Sequence, residues 1–493
     1  MGAAAAIVLV ALVADDPAVL RNAPRDDAPA QATLWRGDWL EVRGETAGFL
    51  RVYDHRHERP GYIRPTIVRV HKLEPASAPE LAAVVRFLRD ASGSESLGIA
   101  YAALALRAAP AGGDNSEMLA AIGTMADRLA RRASAARAEG RNAALTAHIE
   151  VAESYGVKFK SMDAVATGNT VGPARARLCY DGEAWEGVLA APRAAAVERA
   201  RAALALTSAA RTCQDRTTLV LAPVEARAWN DRRIQTLASI EYPSEAALAP
   251  AMLGRVRLRR AEAFAWRAFD EARRGNLDAA ARAEGTAVHE LALTDRGVLA
   301  PEDAEVYEEV AIRVAGARWA TEPAPKATGK RAAEIVFAPR GEGETCMRVQ
   351  SGKDGKSRTL GERCTYGLVW QSALRWAPSG QAATVVVQPL AAWTELWVAR
   401  RAGDGGWTIE TLAPATSEPD ATVGYVEAAG FSPDGGRLLV VREARAGSQV
   451  TRRFQVVDTT TLVVERWAGS ADKLAAFKRW GAPSWRAGTL ALR

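Results

Sequence analysis

FSPDGGRLLV, residues 431–440, opens with an aromatic, a small residue, proline, a variable residue and glycine, then runs into an apolar segment. The same form stands at Phe337-Ala338-Pro339-Arg340-Gly341 and at Trp376-Ala377-Pro378-Ser379-Gly380, followed by CMRVQ and ATVVVQP. Proline and glycine set a tight turn whose φ values suit them, and the aromatic anchors that turn in a core. The spacing suits one small antiparallel sheet per copy. Trp485-Arg486-Ala487-Gly488, with TLALR behind it, reads as a degenerate fourth copy. Residues 331–493 are therefore expected to form a repeated antiparallel β domain.

Upstream of this domain, TEPAPKATGK (321–330) is a linker without periodicity. Residues 80–320 change character. LAAVVRFLRDA, MLAAIGTMADRLARRASAA and PRAAAVERARAALALTSAA place apolar residues at i, i+3, i+4 and i+7 with Arg and Glu opposite. Residues 259–291 read as two helices joined at Gly275-Asn276. That hairpin, and LGIAY at 97–101, resemble tetratricopeptide-type units, although no clean repeat period runs through the segment.

Residues 15–73 return to β. LWRGDWLEVRGETAGFLRVYD alternates at period two, with Leu40 and Val42 on one strand, Leu50 and Val52 on the next, and a turn over 44–48. Trp35, Trp39, Phe49, Tyr53 and Tyr62 crowd this short module. A domain this small either buries them as an aromatic-rich core or leaves some lining a recognition groove. The run DHRHE (54–58) reads as the charged loop of a hairpin; on an extended strand His55 and His57 point the same way, with no third ligand beside them.

The leading apolar run, residues 3–13, is too short to span a bilayer and has the length of a signal-peptide core, with Ala14 before Asp15-Asp16 as the cleavage point. The other reading is a buried N-terminal strand. A cleaved leader (1–14) implies a periplasmic or secreted protein without stable membrane insertion. The four cysteines form no C-x-x-C motif. In an oxidising compartment Cys179–Cys213 and Cys346–Cys364 are the economical pairings, each closing a short loop; four separate buried thiols are the alternative.

Across 493 residues, 64 Lys and Arg against 58 Asp and Glu leave a net charge of +6. The basic residues are interspersed with acidic ones, which argues against a nucleic-acid binder. GKDGKS (352–357) lacks the first glycine of a phosphate-binding loop, since Gln350 stands there, and no helix pattern follows it. His289-Glu290 starts a zinc motif that Leu293 ends. No metal site, cofactor or catalytic residue is expected.

The N-terminal module resembles a bacterial SH3 domain, carried by Leu20-Arg21-Asn22-Ala23-Pro24, Trp35-Arg36-Gly37, Glu41-Val42-Arg43-Gly44-Glu45, Gly48-Phe49-Leu50-Arg51-Val52 and Gly61-Tyr62-Ile63. The F-S-P-D-G-x-x-L form at 431–438 is similar to the WD40-like repeats of TolB-type propellers. The resemblances imply an SH3-like β-barrel, an α-helical hairpin domain and a propeller-like β domain, possibly incomplete. They imply a non-enzymatic envelope adaptor that binds a protein or peptidoglycan peptide. The rival expectation is a hydrolase or lyase acting on envelope polymers at a domain junction, marked by two facing carboxylates. Oligomeric state is not legible in the sequence.

Overall fold

The computed structural model describes residues 9–110, 112–138, 143–162, 177–208, 223–240, 245–322, 331–351, 358–414, 423–446 and 449–488. The chain divides into two compact units, Met1–Ala226 with Gln235–Leu248, and Arg227–Ile234 with Ala249–Arg493. The helical middle, expected as one body over 80–320, is shared between them.

The first unit opens with β1 (Leu9–Val13), β2 (Ala18–Arg21), β3 (Ala30–Leu34), β4 (Trp39–Thr46), β5 (Phe49–Asp54), β6 (Arg59–Ile63) and β7 (Val68–Lys72). They form one antiparallel sheet in the order β3-β2-β6-β5-β4-β1-β7, which among the described residues is an open path without barrel closure. The β4–β5 hairpin turns at Ala47-Gly48, where Thr46 faces Phe49; Gly44 sits instead at a bulge in the ladder.

The cleaved leader is not supported. Leu9–Val13, the described part of the run read as a signal-peptide core, is an inner strand between β4 and β7. Both faces of β1 are buried. Ala11 and Val13 join Leu20, Leu40, Val52 and Ile63 in the sheet's own core, whereas Val10 and Leu12 pack with Leu81, Val85 and Ile99 of the helices. A strand covered on both faces reads as a continuous apolar run, and so mimics a leader. A cut after Ala14 would remove it.

Helices α1 (Ala78–Arg89), α2 (Glu95–Ala108), α3 (Ser116–Ala138), α4 (Ala143–Ser154), α5 (Glu183–Ala190) and α6 (Ala196–Leu206) complete this unit with a strand pair that sequence reading did not anticipate, β8 (Phe159–Met162) and β9 (Arg177–Tyr180). Cys179 is buried on β9; Cys213 lies outside the described residues, as do residues 352–357. Helix α7 (Pro223–Ala238) is divided between the two units.

In the second unit α8 (Pro250–Arg273) and α9 (Leu277–Ala292) form the expected hairpin, turning at Gly275, and α10 (Pro301–Ala317) packs with both. Among the described residues the β region consists of three antiparallel meanders. The first is β10 (Glu334–Pro339), β11 (Thr345–Ser351) and β12 (Arg358–Thr365). The second is β13 (Leu368–Trp376), β14 (Ala382–Leu390), β15 (Trp393–Arg401) and β16 (Trp407–Leu412). The third is β17 (Val423–Phe431), β18 (Arg437–Ala446), β19 (Gln449–Asp458) and β20 (Val464–Ala468). One parallel pairing, Trp393 with Gly424, joins the last two into a single sheet. The aromatic–small–Pro turn stands between the first and second strand of each meander. Gly341, Gly380 and Gly435 all have positive φ, 67°, 67° and 74°, the left-handed conformation that only glycine enters without strain. Cys346 and Cys364, opposite one another on β11 and β12, form the expected disulfide.

The meanders bury their faces in series. Met347, Val349, Val385, Trp397 and Trp407 fill the layer between the first and second. Trp370, Leu396, Tyr425 and Leu438 belong to the next layer, shared with Ile312 and Trp319. The remaining face of the third meander, Leu439, Val441 and Phe454, is covered by Phe477 and Trp485 from α11 (Ala475–Trp480) and α12 (Pro483–Gly488). The fourth copy of the turn motif is therefore corrected: Trp485 to Gly488 is helix and caps the stack.

Candidate functional site

The five aromatic candidates of the first unit have different surroundings. Phe49 is buried, with the Arg64 guanidinium 3.9 Å over its ring. Trp35 meets His148 of α4 edge-on at 6.1 Å. Trp39 packs against the helical core, stacks on His55 at 5.2 Å and carries Arg107 at 5.8 Å. Tyr53 is half-buried between His55 and Arg43. Tyr62, on β6, is half-buried and faces Arg51 across the ladder. Trp39, Tyr53 and His55 thus form one cluster with the Glu41 carboxylate, 2.6 Å from His55 Nε2; Trp35, Phe49 and Tyr62 do not join it.

The histidines of DHRHE diverge. His55 goes to Glu41, whereas His57 Nδ1 lies 2.8 Å from Asp54 Oδ2. Buried Asp54 also accepts from Arg59 Nε and from the backbone N–H groups of Arg56 and His57, so it organises the hairpin turn. Among the described residues the one cluster with metal-ligand spacing is Glu344, Cys346 and Cys364, whose sulfurs are joined to each other.

A Ser–His–Asp constellation not foreseen from the sequence lies in the same unit. Ser96 Oγ is 2.7 Å from His148 Nδ1, and His148 Nε2 is 3.1 Å from Asp16 Oδ2. Ser96 also donates to the Arg36 carbonyl at 2.7 Å and is only 2% exposed. A nucleophile needs an approach for substrate; this hydroxyl is engaged twice inside packed structure and ties the β3–β4 connection to α2 and α4. Burial lowers the pKa of His148, opposed by the Asp16 carboxylate.

The second unit contains a cavity of about 200 Å³. Its walls are aromatic and aliphatic, among them Trp319, Trp376, Trp480, Trp485 and Phe431, and its polar groups are Arg318, Arg375 and Glu322. β13 and β17 supply one side, α11 and α12 another, and the turn after α10 brings Arg318 and Trp319. Beside it Glu427, wholly buried on β17, accepts from the Tyr425 hydroxyl at 2.5 Å and from Trp485 Nε1 at 2.9 Å. Its Oε2 lies 3.1 Å from Arg318 Nη1. Arg375 donates to Glu322 at 3.2 Å. Burial opposes the charge on Arg318, but Tyr425, Glu427, Glu322 and Glu284 around it outweigh burial and raise its pKa. Burial lowers that of Arg375 against the pull of Glu322. Each cation is thus matched by a carboxylate, and two carboxylates facing one another across an apolar gap, as hydrolysis of a glycan would use, are not among the lining residues.

The sequence contained one usable signal for this site. VGYVEAAGF is nearly all apolar, and a lone Glu two residues from a Tyr in such a strand must find partners when buried. Comparison of the chain with known protein families, with curated proteins and with solved structures finds no match.

Proposed function

We propose that this chain is a non-enzymatic adaptor that binds a protein partner by accepting an extended segment at a sheet edge. The observation that carries the reading is β20. It ends the eight-stranded sheet, pairs with β19 alone among the described residues, and leaves Val464 and Trp467 exposed, Trp467 at 63%. A row of open backbone groups beside Val464 and Trp467, with the charged Glu465 and Arg466 between them, is a template for strand addition, in which the backbone supplies affinity and side chains supply choice. Val463, 60% exposed, extends the apolar patch past the strand's end.

In the same reading the three meanders are blades of an incomplete propeller-like body, with the turn motif between first and second strands as the supporting feature. The N-terminal sheet is an SH3-like module whose Trp39–His55–Tyr53 cluster forms a secondary contact. The Cys346–Cys364 disulfide supports an oxidising compartment such as the envelope or the exterior.

The test is capture from an envelope fraction with the whole chain as bait and isolated cell wall as competitor. A partner retained by the native chain and lost on Trp467→Arg supports the reading. Capture that is unchanged by that substitution, or no partner at all, contradicts it; displacement by cell wall alone points to a peptidoglycan peptide instead.

A further inference from the structure

We infer, on the reading that β20 accepts an added strand, that the incoming segment is acidic and presents carboxylates on both of its faces. A charge imbalance along this edge leads there. β20 pairs with β19 so that Arg466 stands opposite Val456 and Trp467 opposite Gln455. Successive residues of a strand point to opposite faces. Arg466 therefore shares the face of Val456, which belongs to the core layer with Phe477 and Trp485, and Trp467 lies on the other face. Both Arg466 and Trp467 are exposed. Arg453, two residues from Gln455, shares the Trp467 face, and its guanidinium stands 5.4 Å over the Trp467 ring. Its charge is thereby carried from β19 out to the edge strand.

The acidic residues of these strands are already engaged. Glu465 lies 2.7 Å from Arg437 Nε and Glu443 2.7 Å from Arg452 Nη2, while Asp458 accepts from the backbone N–H groups of Thr460 and Thr461. Arg453 and Arg466 have no carboxylate at ion-pair distance among the described residues. Arg442, directly opposite Arg453 on β18, has none either; it donates to the Ala413 carbonyl at 2.7 Å and to Gln455 Oε1 at 3.5 Å. Like charges directly opposite one another on a sheet are destabilising, and burial together with the Arg453 charge lowers the pKa of Arg442. Arginines without a counter-charge beside an unpaired edge favour an incoming strand that supplies carboxylates and disfavour one that carries lysine. A second copy of β20, paired about a two-fold axis at the strand's centre, would set Arg466 against Arg466 and is disfavoured for the same reason.

Four capped peptides carrying a neutral dye test this on the full chain by fluorescence anisotropy. The parent is Thr-Val-Thr-Val-Glu-Glu-Val-Thr-Val-Thr, whose adjacent Glu residues fall on opposite faces of an added strand. Two others replace Glu-Glu by Gln-Gln or Lys-Lys, and the fourth keeps both Glu but has Pro for every Val, so that it cannot pair as a strand. At low salt the parent is expected to bind about tenfold tighter than the Gln peptide, with the Lys peptide weakest, and about 0.5 M salt should erase most of that advantage. Arg453→Gln and Arg466→Gln should each weaken the parent about threefold, the size of one exposed ion pair, and leave the Gln peptide unchanged. Trp467→Ser should weaken all three valine peptides alike. Equal binding of those three, lost together in Trp467→Ser, would overturn the acidic preference and leave the edge reading standing. Binding of the proline peptide as tight as that of its parent, or no binding by any peptide, would overturn the proposal and the edge reading together.

Discussion

Glu427 Oε2 lies 3.1 Å from Arg318 Nη1, with the Glu427 side chain wholly buried and that of Arg318 only 10% exposed. The pair connects β17 to the turn after α10, and the same carboxylate holds Tyr425 and Trp485. Taking two charges out of water is offset only where each remaining lone pair and proton finds a partner.

Glu427→Gln should therefore destabilise the second unit by about 3 kcal/mol, because it leaves a buried guanidinium without its counter-charge. Urea unfolding followed by tryptophan fluorescence measures this. The double substitution Glu427→Gln with Arg318→Met should recover much of the loss, since the amide oxygen can still accept from Tyr425 or Trp485 and no unpaired charge is left buried. A loss below about 0.5 kcal/mol for the single variant, the size of a surface pair, would contradict the account.

The β1 strand makes a prediction for the first unit. Leu12 is fully buried against the helices, so Leu12→Ala should cost about 2–5 kcal/mol through lost transfer energy and the cavity left behind. A chain beginning at Asp15 should lose the cooperative melt of that unit. Calorimetry of the two variants checks both; a truncated chain that melts like the native one would show that β1 is dispensable.

His148 and His71 give a pH dependence. Burial lowers both pKa values below the ordinary 6.5. In the window below 6.5 the unfolded chain binds more protons than the folded one, so this contribution is complete above 6.5 and is lost as pH falls beneath it. Unfolding free energy should decline from pH 7.5 to 5.5. His148→Gln should flatten the slope, and adding His71→Gln should flatten it further; an unchanged slope in the double variant would assign the decline to carboxylates.

Gly435 tests the repeated turn. Its φ is 74°, and a Cβ placed there would meet Ser379 of the neighbouring turn, Oγ at 2.4 Å and Cβ at 2.9 Å. Gly435→Ala should cost about 1–3 kcal/mol from backbone strain and that clash. Ser379→Gly in the same chain should relieve only the steric share. Thermal melts of the single and double variants separate the two contributions.

The turn motif was the part of the fold most legible in sequence, because its requirement is local. Glycine at 341, 380 and 435 answers a backbone angle set within five residues. The α8–α9 hairpin was legible for the same reason, with amphipathic stripes broken at Gly275. The β1 strand is ambiguous in sequence because burial on two faces erases the alternation that marks a strand, and an apolar run of that length also fits a leader. The helical middle gave no sign of its division, since α1–α6 and α8–α10 carry the same periodicity while their partners are distant in sequence. The cavity was hidden for a related reason. Arg318, Arg375 and Glu427 lie on separate elements, and only the stacking of meanders brings them together. The aromatic crowd at 35–62 was visible, but whether each ring covers a core or lines a groove depends on the helices that arrive later in the chain.

The most direct test of the central claim is site-specific photo-crosslinking in the cell of origin. A photoreactive phenylalanine replaces Trp467 on β20 and, as a control, the exposed Leu277 of α9. A discrete protein adduct is expected from position 467, mapped to an extended segment of the partner, and none from 277. Absence of an adduct at 467, or the same adducts from both positions, would contradict it.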